Sequence, residues 1–234
     1  MSLRLVLRAA HRRAQPVIDP HFIAHRTLRR ALAPRLANAT GLILDLGCGY
    51  QPYRGLMPKA GRYVAFDRPG ATRMDVSGDA QRLPFRSGIA DHVLCTQVIE
   101  HVPEPASVLG EIARVLKPGG RLVLTAPLTW GLHGEPYDYY RYTPYSLGRL
   151  AERSGLDVVE IEPTCGLWAT LAQRVVDTII STYAKNRSVA TVTLLSALLI
   201  PVQWAGYGLD RFIGPRGDTL DYVLVARKPG DLRT

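Results

Sequence analysis

Leu42-Ile43-Leu44-Asp45-Leu46-Gly47-Cys48-Gly49 is an apolar run that ends in an acid and a glycine-x-glycine turn. Beginning just after Gly41, such a run reads as a buried strand of a parallel sheet. Glycines directly beyond the strand let the backbone approach a ligand closely and adopt conformations that a side chain forbids. Ligands of open α/β sheets sit at the carboxyl ends of the strands, so the turn marks a binding site. A dinucleotide site requires G-x-G-x-x-G, with the third glycine bringing a helix N-terminus against the pyrophosphate. Here Pro52 stands in the third position. Asp45, two residues before the first glycine, repels a pyrophosphate and suits a ligand that carries positive charge. A dehydrogenase is disfavoured on both counts.

The segments that follow are in a fixed order. Arg62-Tyr63-Val64-Ala65-Phe66-Asp67 reads as a second strand ending in an acid, 22 positions after Asp45. A carboxylate at that distance is placed to accept hydrogen bonds from ribose hydroxyls. Then come Gly78-Asp79-Ala80-Gln81-Arg82-Leu83-Pro84-Phe85 and a strand Asp91-His92-Val93-Leu94-Cys95-Thr96-Gln97. After Val98-Ile99-Glu100-His101-Val102-Pro103, helical spacing runs from Val108 and stops at Pro118-Gly119-Gly120. Arg121-Leu122-Val123-Leu124-Thr125-Ala126-Pro127 is the next strand.

Asp45-Leu46-Gly47-Cys48-Gly49 resembles motif I of the class I S-adenosylmethionine-dependent methyltransferases, and the later segments match that family in register from about residue 41 to 160. The resemblance implies an α/β Rossmann-like fold: a seven-stranded, mostly parallel sheet closed by an antiparallel final hairpin. It implies S-adenosylmethionine as the cofactor, held by Asp45, Gly47, Cys48, Gly49, Asp67, Asp79, Ala80 and Gln97. In this scheme Asp67 meets the ribose, Asp79 the adenine amino group and the Ala80 amide a ring nitrogen, while Gln97 lines the methionine end. The alternatives are ordinary ones. Asp45 can cap a helix, Asp79 can be a turn acid, and Asp67 precedes the turn-forming Arg68-Pro69-Gly70. A protein that binds the cofactor as a scaffold, without catalysis, is the rival function.

The segment from Trp130 to Pro144, at the carboxyl end of a strand, concentrates tyrosines, two histidine-flanking acids and an arginine. It resembles a loop of bacterial methyltransferases associated with glycan or natural-product genes. That resemblance implies an acceptor pocket built from Trp130, Glu135, Tyr137, Tyr140 and Arg141. The plain alternative has the tyrosines packing and Arg141 pairing with Asp138. Methyl transfer is an in-line displacement that needs alignment above all. A base is needed only for an un-ionised hydroxyl. His133 is the first candidate and His101 the second, because imidazole titrates near neutrality. Both histidines also suit structural or surface roles. Gln97, Glu100 and His101 have i, i+3, i+4 spacing, one face of a helix that starts that early. The ubiquinone-type O-methyltransferases are similar there, with an acid that can help hold a divalent metal where this chain has Gln97. No metal is expected.

The final hairpin is assigned to Leu156–Ile161 and Leu220–Ala226, with an apolar helical insertion, residues 165–217, between them. Residues 167–184 have a helical pattern charged only at Arg174 and Asp177, and residues 188–209 carry no charge. The latter stretch is long enough to cross a bilayer. A single crossing would leave the last strand on the wrong side of its sheet. The expected insertion is a lid, a homodimer surface or a membrane-surface element. Residues 1–38 form a basic helical extension, with eight arginines and one acid in the first 36 positions, and the methyltransferase domain is placed at 39–230. Of the chain's net charge of +9, the extension supplies most. That charge suits an anionic membrane surface or helices covering the cofactor cleft. No aromatic-interleaved basic motif points to nucleic acid. Cys48, Cys95 and Cys165 are few and widely separated, as in a reducing compartment. The arginines interrupt any signal-peptide core. The protein is expected in the cytoplasm, free or peripheral at the inner membrane face. Its acceptor is expected to be a small-molecule, lipid-linked or glycan hydroxyl.

Overall fold

The computed structural model describes residues 19–71, 73–183, 188–214 and 217–230. The expected first half of the basic extension lies outside the described residues. Contacts divide the chain into two compact units: Met1–Leu28 with Cys165–Leu220, and Arg29–Thr164 with Asp221–Thr234.

The larger unit holds the sheet. Its strands are β1 (Leu42–Leu46), β2 (Arg62–Asp67), β3 (Val76–Ser77), β4 (Ala90–Thr96), β5 (Leu116–Pro127), β6 (Asp157–Pro163) and β7 (Asp221–Arg227), in the order β3-β2-β1-β4-β5-β7-β6. β1 through β5 pair in parallel, whereas β7 runs antiparallel to both β5 and β6. This is the seven-stranded, Rossmann-like sheet expected from the sequence. Strand order reverses between β1 and β4, the position where such sheets open a crevice.

Because side chains alternate across a strand, neighbouring residues feed opposite cores. Leu44 and Leu46, with Val93, Cys95, Leu122 and Leu124, face α2 (Pro105–Val115) and α3 (Pro144–Arg153) through Val108, Leu109, Ile112 and Leu147. Ile43, Leu94, Val123 and Val225 face the other way, where Leu32 and Leu36 of α1 (Phe22–Leu36) cover them. α3 begins as the sequence suggests, with Pro144 at its first position and Thr143 Oγ1 accepting from the Ser146 N–H at 3.2 Å.

Two local outcomes differ from the sequence reading. β3 is an additional strand, only two residues long and too short to show periodicity. β5 starts at Leu116, so the Pro118-Gly119-Gly120 stop lies inside strand pairing, beside a register irregularity between Ala90 and His92. After β1 the chain forms only a short 3-10 turn, Arg54–Leu56, in keeping with Pro52.

Asp91 joins the starts of three strands. Its carboxylate accepts from the Leu42 N–H at 2.8 Å and from Lys117 Nζ at 2.8 and 2.9 Å. Burial opposes ionisation there, but Lys117 and the Leu42 amide outweigh it and hold the carboxyl below its usual value. The stability it contributes is present above about pH 4 and lost as pH falls through that lowered value. Replacing Asp91 with Ala should cost about 1–2 kcal/mol at pH 7 by denaturant unfolding. The difference between the two proteins should shrink in acid.

Candidate active site

The turn that leaves β1 is tied to the end of β2. Both Gly47 N–H and Cys48 N–H donate to the Phe66 carbonyl, at 2.9 and 3.1 Å. Gly47 has φ +69°, and a Cβ there would overlap Val98 Cγ2, so both backbone angle and space demand glycine. Asp67, the last residue of β2, accepts from the Gly49 N–H through Oδ2 at 2.9 Å. The turn that leaves β4 is built around Gln97, a non-glycine residue at φ +54°, whose N–H donates to Thr125 O at 3.0 Å and whose Nε2 donates to Thr125 Oγ1 at 3.2 Å. Left-handed backbone at a non-glycine residue costs roughly 1–3 kcal/mol and concentrates at functional turns.

Between these turns lies a cavity of about 580 Å³. Gly47, Asp67, Asp79, Ala80 and Gln97 line it together with Phe66, Gln81, His101, Gly134 and Tyr137. Asp79 Oδ1 accepts from the Gln81 N–H at 2.9 Å, the turn geometry anticipated for it, and the residue still lines the cavity.

Of the expected cofactor residues, Asp45, Cys48 and Gly49 are not among the lining residues. Asp45 is buried under the turn, where the Tyr63 hydroxyl donates to Oδ2, while Oδ1 meets no partner among the described residues. Burial pushes its carboxyl up to about 7, with the Tyr63 hydrogen bond acting against this. Cys48 is also buried, its Sγ 3.9 Å from Asp67 Oδ2, and burial raises its thiol to about 11. The three-acid convergence expected from the sequence is therefore two acids on the wall and one beneath it.

The loop after β5 is held by an internal clamp. Arg141 bonds both oxygens of Asp138, Nη1 to Oδ1 at 2.7 Å and Nη2 to Oδ2 at 2.8 Å. The same guanidinium reaches the carbonyls of Trp130, Gly131 and Tyr140. Arg141 beside it holds the Asp138 carboxyl well below the usual range. The anticipated acceptor contact Arg141 is thus occupied within its own loop. Of the other loop candidates, Tyr137 lines the cavity, Trp130 turns its ring edge to His133, Tyr140 donates to Pro103 O at 2.8 Å, and Glu135 is exposed.

His101 and His133 stack edge to face with centroids 4.7 Å apart. His101 Nδ1–H donates to Tyr137 O at 2.5 Å and His133 Nδ1–H to Gly131 O at 3.0 Å. Carbonyls only accept, so each bond fixes the tautomer and leaves Nε2 with its lone pair. Burial lowers the His133 imidazole below its usual value. Glu100, fully buried alongside, is pushed up to about 8 by its burial. Donor atoms of Glu100, His101 and His133 lie within 4.8 Å of one another, a set able to take a proton or to hold a cation. The helix face read from the sequence does not form. Ile99–His101 is a single 3-10 turn with Gln97 outside it, and His133 takes the third place. Nothing in the spacing of His133 signals this, because the loop after β5 brings it there.

A family profile described as a methyltransferase domain matches residues 44–124. The methyltransferase GfsG of Streptomyces halstedii is 29% identical over 126 residues, 46% of this chain and 45% of that protein. A ubiquinone biosynthesis O-methyltransferase of Aromatoleum aromaticum is 24% identical over 152 residues, 51% of this chain and 65% of its own. The chain thus spans less than two thirds of the length of either relative. Among solved structures, the fold is similar to that of the Haemonchus contortus phosphoethanolamine N-methyltransferase 2 in complex with S-adenosyl-L-methionine. The TM-score is 0.58 and the identity 18%, over 86% of this chain and 52% of that one. A methyltransferase of Archaeoglobus fulgidus gives a TM-score of 0.55 at 17% identity, over 92% and 97%. The strand order, the glycine turn and the matched segment agree: residues 44–124 match a methyltransferase domain, and the sheet has the Rossmann-like fold of the class I S-adenosylmethionine-dependent methyltransferases.

Proposed function

We infer that the larger unit binds S-adenosylmethionine in the cavity at the ends of β1, β2 and β4 and transfers its methyl group to a hydroxyl of an amphiphilic small molecule. The acceptor class is lipid-linked, glycan or polyketide-like. One observation carries the reading: a single cavity is lined by Gly47, Asp67, Asp79 and Gln97 together with His101 and Tyr137. A cofactor and a second reactant fit there within reach of each other.

When bound, the cofactor supplies a methyl group on a positively charged sulfur, already activated for in-line displacement. Asp67 is positioned to take the ribose hydroxyls, and Asp79 with the Ala80 amide the adenine edge. The backbone at Gly47 admits the methionine end beside Gln97. On the acceptor side, the Asp138–Arg141 clamp fixes the loop, and His133, which stacks on the cavity-lining His101 without lining the cavity itself, would take the hydroxyl proton at Nε2. Because burial lowers this imidazole, its base form is already present at neutral pH. Holding the reacting atoms about 3–3.5 Å apart supplies most of the remaining acceleration. The exposed apolar helices of the smaller unit support an amphiphilic acceptor, and the separate free cysteines support a cytoplasmic setting.

Calorimetry with S-adenosylmethionine, followed by methyl-labelled turnover on lipid and aqueous extracts, tests this. The expected result is binding that Asp67→Ala weakens by roughly tenfold, as for the loss of hydrogen bonds to a charged group, with label in one extract fraction. Binding without label would favour a scaffold, and no binding would reject the reading. On the labelled acceptor, the rate should be level above neutrality and fall as acid protonates His133. His133→Gln should remove that acid limb and lower kcat by about 10²–10⁴-fold.

A further inference from the structure

The smaller unit is patterned inside out. Its helices are α4 (Leu167–Tyr183) and α5 (Val189–Ile213). Along α5 the buried side chains include Ser196 and Gln203, 1% and 2% exposed. Leu194, Leu198 and Val202, one turn apart, are 62%, 66% and 36% exposed. α4 repeats the pattern, with Thr170 and Gln173 buried and Leu167, Leu171 and Val175 exposed at the same spacing. The inward amide nitrogens are bonded, Gln203 Nε2 donating to Asp19 O at 3.1 Å and Gln173 Nε2 to Pro20 O at 2.7 Å and Asp177 Oδ1 at 2.9 Å, whereas Gln173 Oε1, Gln203 Oε1 and Ser196 Oγ meet no partner among the described residues. A Cβ on Gly206 would overlap Ala172 Cβ and Trp168 O, so the two helices cross at small residues.

In water a helical pair does the reverse, burying its leucines and exposing its glutamines. Polar side chains turned inward, leucines outside and a small-residue crossing suit surroundings that are themselves apolar. Aromatic residues stand at both ends of the exposed stripe. Trp168, Trp204 and Phe212 lie where α4 begins and α5 ends, and Tyr183 lies at the opposite end of α4. Aromatic side chains of this kind favour the headgroup level of a bilayer.

Charge selects the occupant. By sequence alone, the two segments of this unit carry ten arginines and lysines against four aspartates, with seven of the ten basic positions outside the described residues. A second copy of the same unit would meet like charge, whereas an anionic lipid surface complements it. A single membrane crossing is excluded by the sheet, because β7 returns between β5 and β6. A paired crossing would carry Arg174 and Asp177 into hydrocarbon at about 2.5–3.5 kcal/mol each. We propose that the exposed leucine face of α4 and α5 seats in the interface of an anionic bilayer, lying along it rather than through it.

Co-sedimentation of the full chain with vesicles of phosphatidylglycerol and phosphatidylcholine, against phosphatidylcholine alone, tests the proposal without any methyl transfer. Its outcome is therefore separate from that of the turnover assay. The wild-type chain should sediment with the anionic vesicles, and binding should weaken as salt rises. The double variant Leu194→Gln/Leu198→Gln changes only exposed positions and should keep its circular dichroism. It should bind about tenfold more weakly or worse. Wild-type protein left in the supernatant, or a double variant that sediments as well as wild type, would overturn the proposal. A lipid-free dimer that the double variant converts to monomer would also overturn it, in favour of a second copy on this face.

Discussion

The fold and the site both depend on one close approach, in which the backbone after β1 reaches across to the carbonyl that ends β2. Two consecutive amides, Gly47 and Cys48, donate to Phe66 O. That pairing can form only if residue 47 turns left-handed and has no side chain in the space of Val98. Strand order alone opens a crevice between β1 and β4. This turn gives the crevice a polar floor, bringing Asp67 against the Gly49 amide and leaving Asp79 and Gln97 on the walls. A side chain at position 47 would therefore disturb sheet, turn and cavity together.

Electrostatics follow from the same crowding. Asp45, Glu100 and Asp221 are buried carboxyls, raised by burial to about 7, 8 and 7 respectively. A carboxyl raised in the folded state stabilises the fold most below its unfolded pKa, and that contribution fades as pH rises towards the folded value. As pH rises from about 4 to 8 these three groups therefore increasingly oppose folding, and above the folded values the opposition is complete. A positive charge in the cavity reverses the sign, because it favours the ionised acids. Asp45 touches no cavity wall, yet it sits two residues before Gly47 with one oxygen turned to no partner.

How much of this was legible in the sequence depended on whether the determinant was local. β1, β2 and β4, the start of α3 and the glycine turn were readable because hydrophobic runs, caps and turn residues act within a few positions. β3 was not, since two residues carry no period and its pairing comes from Phe66 and Asp67 on β2. Gln97 could not be placed from spacing, because helix and left-handed turn share the same residues until Thr125 captures the Gln97 amide. For Arg141 the sequence offered an acceptor contact or a pair with Asp138, and the pair forms, buttressed by carbonyls ten and eleven residues away. The meeting of His133 with Glu100 and His101 depends on how a thirty-residue excursion through β5 returns.

The smaller unit extends this lesson. Residues 188–209 were visibly uncharged, and that alone fitted a lid, a dimer surface or a membrane element. The structure adds which side faces out. One physical rule, that unpaired polar groups avoid apolar surroundings and apolar groups avoid water, sorts both units. In the larger unit it buries leucines on both faces of the sheet. In the smaller unit, Gln173 and Gln203 turn inward to backbone carbonyls while Leu194 and Leu198 turn outward. The same rule gives opposite patterns only when the outer medium differs, so the leucine face of α4 and α5 is matched to something less polar than water.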